Sequence, residues 1–120
     1  DPLKLASWYA DVLRFAPIDF DSFRAGKRPF PSVRISDTCI LDFFGPKDNN
    51  PTAAGPSNGN HICFALRSKD HLDVVIKELC TAGYPPEQET PVRRSGARGE
   101  GHSVYAKDPE GNTLEFRAYY

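Results

Sequence analysis

The sequence predicts an α+β fold made of two βαβββ modules that form a cupped mixed sheet, with the first strand of module one absent from this chain. Two observations support it. Residues 1–50 show a helix followed by extended segments, whereas residues 61–120 show a strand, a helix and three further strands. A run rich in Gly, Pro, Asn and Ser, residues 45–60, separates the two modules as a linker loop. We therefore expect one domain over residues 1–120 with a weak internal repeat.

The chain contains no methionine and begins with Asp1. Module one also lacks the strand that opens module two. Both observations lead us to expect an upstream segment of about ten residues, the length of a strand, that belongs to this fold.

Composition narrows the class of protein. The 120 residues are 39% hydrophobic and 26% charged, which suits one folded domain rather than a disordered chain. A net charge of −1 gives no indication of nucleic-acid or membrane-surface binding, and no apolar run approaches the roughly 20 residues of a membrane span. The odd number of cysteines, three without a CxxC pair, predicts reduced thiols and a cytoplasmic protein.

Module one begins with a predicted helix. Asp1 suits the N-cap and Pro2 the first helical position, and the helix is expected to end near Phe15. One apolar stripe supports it: Leu5, Trp8, Tyr9, Val12 and Leu13. Strands are then predicted at three places: Ile18–Phe23, Pro31–Ser36 and Thr38–Phe44.

Module two opens with a predicted strand, His61–Leu66. A helix capped by Ser68 or Asp70 follows, with an apolar stripe at Leu72, Val75, Ile76 and Leu79 and with Gly83 just past its end. Three further extended segments are predicted: Glu89–Arg94, His102–Lys107 and Thr113–Tyr119. The last two form a hairpin, because Asp108–Asn112 has the Pro and Gly of a tight turn.

Alternation along the strands predicts a polar face. Leu114 and Phe116 should pack under the helices, which turns Glu115 to the opposite side together with Thr113 and Arg117. The same rule separates Ile62, Phe64 and Leu66 from His61 and Cys63, and places Ser103, Tyr105 and Lys107 on one face. We predict that the polar face includes His61, Ser103, Tyr105 and Glu115.

A histidine and a carboxylate from different strands suit a divalent metal such as Fe, Mn, Ni or Zn. Their spacing is not a local motif, however. From spacing alone, a structural or exposed histidine and a solvated glutamate remain the commoner alternatives.

The segment YAKDPEGNTLEF resembles the signature Y-x-x-D-P-x-G-N/H-x-x-E-hydrophobic of the vicinal oxygen chelate superfamily. The opening segment DPLKLASWYADVLRF is similar to that family's D-x-x-x-S-x-x-F-Y-x-x-x-L-G-F, with Arg14 where glycine is usual. The superfamily includes glyoxalase I, extradiol dioxygenases, fosfomycin-resistance thiol transferases and bleomycin-resistance proteins. The resemblance covers nearly the whole chain and implies paired βαβββ modules around a metal.

The resemblance implies that His61 and Glu115 are metal ligands. The remaining ligand of the family lies on the first strand of module one, so the truncated chain is also compatible with a metal-free site. Asp42 falls near the position of a further carboxylate ligand in glyoxalase I, and a surface aspartate remains the alternative there. Tyr105 and Glu115 are the candidate catalytic residues.

The arginine- and glycine-rich segment before His102 has two open interpretations. Arg94 and Arg98 could bind an anionic group of a substrate, or the segment could be a solvated hairpin with salt bridges. Ser103 and Tyr105 lie in a run that resembles the substrate-contacting stretch of fosfomycin-resistance proteins. Cys63 lies near His61, but Cys–His nucleophilic catalysis is the minor alternative.

Three functions follow from the resemblance. The first is a metal-dependent enzyme of the glyoxalase or extradiol dioxygenase type, a lyase or oxidoreductase, that acts on a small substrate with vicinal oxygens. The second is transfer of a thiol or water to an epoxide, as in fosfomycin resistance. The third is a metal-free protein that binds a small molecule, as bleomycin-resistance proteins do. A homodimer is expected, because the open sheet edge left by the missing strand invites pairing between chains.

Overall fold

A computed structural model describes residues 1–45 and 61–120. The predicted linker, residues 45–60, therefore lies outside the described residues except for Gly45. The chain divides into two compact units, Asp1–Ala54 and Gly55–Tyr120. Both units combine helical and sheet structure, which confirms the α+β class.

Helix α1 of the first unit spans Pro2–Val12. Its start is as predicted, because the Asp1 carboxylate accepts hydrogen bonds from the backbone N–H groups of Leu3 and Lys4. Its predicted end near Phe15 was wrong. Arg14 has a left-handed backbone, with φ of 63°, and this conformation terminates the helix two residues after Val12.

The sheet of the first unit has three antiparallel strands in the order β1-β2-β3: β1 Ala16–Ile18, β2 Ser32–Ser36 and β3 Cys39–Asp42. The predicted strand over Ile18–Phe23 was wrong beyond its first residue. Asp19 turns the chain with a φ of 52°, and a short helix, α2, follows over Phe20–Arg24. Phe20 and Phe23 are three positions apart, which suits one turn of a helix, and a segment this short has no longer pattern that would distinguish a helix from a strand.

The first unit buries the inner face of α1 against its sheet. Tyr9 packs its ring against Phe43, with centroids 5.1 Å apart, and Val33 of β2 is completely buried. Ala6, Trp8, Leu13 and Pro31 are also buried in the described part of this unit. Leu5 and Val12, predicted in the same stripe, are half-buried.

Over residues 61–120, the second unit has one helix and a four-stranded mixed sheet in the order β4-β7-β6-β5. Its elements are β4 His61–Ala65, α3 Lys69–Thr81, β5 Val92–Gly96, β6 Gly99–Lys107 and β7 Thr113–Tyr119. Strands β4 and β7 are parallel, and the other neighbours are antiparallel. The predicted order of strand, helix and three strands is confirmed.

Helix α3 begins at its predicted cap, since the Ser68 hydroxyl accepts a hydrogen bond from the backbone N–H of His71. Gly83 follows the helix with a φ of +84°, as its position after the end predicted. The helix buries Leu72, Val75 and Leu79. Strands β4, β6 and β7 bury the opposing apolar residues: Phe64, Val104, Ala106, Leu114, Phe116 and Ala118.

Two hairpins connect the last three strands. The predicted turn at Asp108–Asn112 is present, and the buried Asp108 carboxylate accepts from the backbone N–H groups of Glu110 and Asn112. The earlier hairpin differs from prediction: β5 begins at Val92 and β6 already begins at Gly99. The glycine-rich segment forms this tight hairpin because Gly99 adopts a φ of +102°.

Among residues 1–45 and 61–120, no helix has both the length and the apolar character required to cross a membrane.

Candidate functional site

Strand β7 brings the predicted polar face together because it lies in the middle of the sheet. Glu115 on β7 is in register with Tyr105 on β6 and with Cys63 on β4. Side chains of residues in register project from the same face of a sheet. The pairing therefore gathers residues that are far apart in sequence.

The predicted ligand pair is in direct contact. Nε2 of His61 lies 2.9 Å from Oε2 of Glu115. The imidazole is about one-third exposed, at 37%, whereas the carboxylate is almost completely buried. The Tyr105 ring packs edge-on against the His61 ring, with centroids 5.7 Å apart. The site thus has one partly exposed imidazole, one buried carboxylate and a phenol beside them.

The other carboxylate oxygen of Glu115 is held by two residues. The Ser103 hydroxyl donates to Oε1 at 2.7 Å, and Arg117 donates to the same atom through Nε at 3.2 Å and Nη2 at 2.9 Å. Both partners are buried. Oε1 is therefore occupied by protein donors, whereas Oε2 faces His61.

Sequence reasoning placed Arg117 on the polar face but missed its role. Arg117 is only 3% exposed. It also donates to the backbone carbonyls of Arg94 and Ser95, at 3.2 Å and 2.9 Å. The available signal was its position two residues after Glu115 on one strand, which places the two side chains on the same face.

Electrostatics keep Glu115 ionised. Burial alone would raise the pKa of this carboxyl, but hydrogen bonds from Ser103 and Arg117, the Arg117 charge and the contact with His61 outweigh it and lower the pKa below its ordinary value of 4.5. For Arg117, burial alone would lower the pKa of the guanidinium. The hydrogen bond to Glu115 and the negative charge of Glu115 outweigh burial and raise that pKa above its ordinary value. The two groups form a buried ion pair at neutral pH.

The predicted substrate-binding residues have different surroundings. Ser103 is completely buried and Tyr105 is half-buried. Arg94 and Arg98 are exposed: Arg94 donates to the carbonyl of Arg93, and the Arg98 guanidinium lies 5.0 Å from the Tyr119 ring centre. The side chains of Arg93 and Glu100 form an ion pair across this hairpin.

Three other residues singled out from the sequence have local partners. Burial and the charge of Glu115 raise the pKa of the Cys63 thiol, which opposes formation of a reactive thiolate. His102 contacts the Tyr120 ring. Asp42, in the first unit, accepts a hydrogen bond from the buried Ser32 hydroxyl, which in turn accepts from Arg28.

The His61–Glu115 pair fits two neighbouring ligands of a divalent metal. Bonds of about 2.1 Å at right angles place two ligand atoms about 3.0 Å apart, close to the observed 2.9 Å. Hydrogen bonds to the second carboxylate oxygen are also typical around metal ligands. Within the described ranges, however, no three His, Cys, Asp or Glu side chains form a metal-binding group. A metal held by His61 and Glu115 would therefore need a further ligand from outside this group.

The structure has two α+β units, and in the second a buried glutamate contacts the histidine that opens β4. Both features agree with the family resemblance of the sequence motifs. The chain belongs to the Glyoxalase/Bleomycin resistance protein/Dioxygenase superfamily, whose sequence profile matches residues 1–116. The resemblance inferred from the motifs is thereby confirmed.

The chain is similar to proteins from several bacteria. The chain is 32% identical over 112 residues to the virulence protein STM3117 of Salmonella typhimurium, covering 93% of this chain and 72% of that protein. The crystal structure of STM3117 superposes with a TM-score of 0.70 at 25% identity, over 100% of this chain and 89% of that one. Lactoylglutathione lyase of Agrobacterium tumefaciens shares the fold, with a TM-score of 0.64 at 23% identity over 98% and 86% of the two chains.

Proposed function

We propose that the protein is a metal-dependent enzyme of the glyoxalase or extradiol dioxygenase type that acts on a small substrate with vicinal oxygens. The observation that supports it most is the contact of His61 Nε2 with Glu115 Oε2. Two donor atoms of the kinds preferred by Fe, Mn, Ni and Zn lie at a separation suited to one ion. A metal bound there would supply Lewis acidity toward neighbouring substrate oxygens.

The residues around the pair have separate tasks in this proposal. Glu115 holds a negative charge in a buried position, and Ser103 keeps its Oε1 occupied. Tyr105 is half-buried beside His61, and its phenol can orient a substrate or donate a proton from its Oη. Arg94 and Arg98 are exposed guanidinium groups that would bind an anionic end of the substrate.

A vicinal-oxygen probe tests the proposal. Catechol binding is measured by calorimetry with the protein alone and with the protein preincubated with Mn²⁺. We expect binding that depends on Mn²⁺, because the two adjacent oxygens chelate the ion. His61→Ala should abolish it, whereas His71→Ala, an exposed histidine on α3, should retain it. Equal binding with and without Mn²⁺ in the unmodified protein would contradict the metal-dependent function.

A metal-free binding protein is the second candidate, and the ion pair of Glu115 with Arg117 favours it. The guanidinium already neutralises the buried carboxylate, so this site is electrostatically satisfied without a cation. In that case His61 and Tyr105 would bind the ligand directly. Catechol-like or aromatic ligands would then bind in the presence of a chelator, and Tyr105→Ala would weaken that binding.

The cysteines and the sheet edges support proposals about the location and the oligomeric state of the protein. All three cysteines are free thiols, which supports a cytoplasmic protein that meets a small-molecule substrate. In the described residues, β3 and β4 are edge strands of their sheets, which supports pairing between two chains in a homodimer. Sedimentation velocity over a tenfold concentration range tests the dimer.

A further inference from the structure

Gly96, at the end of β5, leaves the space that the Arg117 side chain occupies. A Cβ atom built on Gly96 would collide with the guanidinium of Arg117 and would also meet the Tyr119 hydroxyl. Gly96 lacks a positive φ, so its conformation does not itself require glycine. The reason for glycine at this position is therefore the room it gives to Arg117.

The guanidinium of Arg117 is held from both sides. Its Nη1 and Nη2 atoms donate to the carbonyls of Arg94 and Ser95 on β5. Its Nε and Nη2 atoms donate to Oε1 of Glu115 on its own strand. A planar group with four such contacts has little freedom to rotate, so it fixes the atom that it touches.

We propose that Arg117 is a positioning residue that, from the space left by Gly96, fixes Oε1 of Glu115 so that only Oε2 is presented to His61. Glu115 then offers a single oxygen beside the imidazole. This positioning role deepens the proposed function. Only one consequence rests on the proposed function, namely that Glu115 binds a metal through one oxygen. The placement of Oε2 itself can be measured without any metal.

Gly96→Ala is the sharpest variant because it leaves Arg117, Glu115 and His61 unchanged. The nearest colliding atoms lie at the far end of a long side chain, and moving that end costs less than moving a strand, so the added methyl group displaces the guanidinium from its hydrogen bonds. Replacing Arg117 directly would strand the buried Glu115 charge and endanger folding. Gly45→Ala is the matched control, because its methyl group would meet Pro2 at an ordinary 3.8 Å.

The experiment records the Arg117 Nε–H resonance and the ring nitrogen resonances of His61 by NMR at pH 7, with and without Gly96→Ala. We expect the Nε–H signal to move and to exchange faster with water, and the His61 ring nitrogens to shift, in Gly96→Ala but not in Gly45→Ala. If Gly96→Ala is folded and leaves the His61 ring resonances where they were, the positioning proposal is overturned.

Titration with Co²⁺, followed by its visible absorption, separates this proposal from the proposed function. Partners of a metal ligand typically contribute about 10–100-fold to metal affinity, so we expect Gly96→Ala to bind Co²⁺ about tenfold more weakly. Unchanged Co²⁺ affinity would overturn the positioning role and leave the metal site standing. Absence of Co²⁺ binding in the unmodified protein would instead contradict the proposed function, and the NMR comparison would still decide the position of Glu115.

Discussion

The Ser103 hydroxyl donates a 2.7 Å hydrogen bond to Oε1 of Glu115, from one strand of the second unit to the next. Both side chains are buried, with Ser103 at 0% and Glu115 at 3% exposure. A hydrogen bond to a buried charge contributes more than one between neutral groups. This bond therefore links the stability of the second unit to the charge of its candidate site.

Ser103→Ala is expected to destabilise the protein by about 2 kcal/mol at pH 7, the typical contribution of a hydrogen bond to a charged group. The pKa of Glu115 is lowered in the folded protein, so its stabilising effect is present above its ordinary pKa of 4.5 and is lost as the pH falls through the folded value. The cost of Ser103→Ala should consequently shrink on acidification below pH 4.5. Urea unfolding from pH 7 to pH 3 measures this.

Ser95→Ala serves as the control for that series, because Ser95 is an exposed serine of β5. Its effect on the free energy of unfolding should be small at every pH. A cost of Ser103→Ala that is the same at pH 7 and pH 3 would show that the bond to Glu115 does not depend on the carboxylate charge.

Cys63 should react slowly with iodoacetamide in the native protein at pH 7.5. Burial, the charge of Glu115 and a hydrogen bond with it raise the pKa of the thiol, and only the thiolate is the nucleophile. Glu115→Gln removes the charge, so alkylation of Cys63 should become several-fold faster. Peptide mass spectrometry gives the rate at each cysteine, and Cys80 on α3 is the internal reference. Equal Cys63 rates in both proteins would contradict the electrostatic explanation.

Leu72 of α3 is completely buried and belongs to the core of the second unit. Leu72→Ala should lower the free energy of unfolding by about 2–5 kcal/mol, because it removes apolar contacts and leaves a cavity. Val74 on the same helix is 55% exposed, and Val74→Ala should cost much less. Chemical denaturation compares the two, and similar losses would contradict the predicted packing of α3.

The order of elements could be predicted because hydrophobic periodicity and capping residues are local signals. Asp1, Ser68 and Gly83 marked helix boundaries correctly for that reason. Phe20 and Phe23 were assigned to the wrong element because a spacing of three fits a helical turn, and only the backbone conformation of Asp19 decides between the two. The ends of the glycine-rich hairpin differ from prediction because glycine is typical of loops, whereas Gly96 and Gly99 pair across β5 and β6.

Strand alternation predicts that His61 and Glu115 share a face, and the family resemblance implies that both are metal ligands, but neither predicts their direct contact. Alternation also placed Ser103 on the same face, but not its hydrogen bond to Glu115. Arg117 could be assigned to that face, whereas its reach to β5 depends on the missing side chain of Gly96 in another strand. A local sequence pattern cannot predict that a side chain of one strand occupies the space beside a glycine of another.

Metal content tests the central claim most directly. The protein is incubated in turn with Fe(II), Mn(II), Ni(II) and Zn(II), freed of unbound ions and measured by elemental mass spectrometry. We predict near one equivalent of one ion per chain, lost in His61→Ala and in Glu115→Ala and retained in the exposed controls His71→Ala and Glu110→Ala. Absence of every ion from the unmodified protein, or binding that survives both site variants, would contradict a metal site at His61 and Glu115.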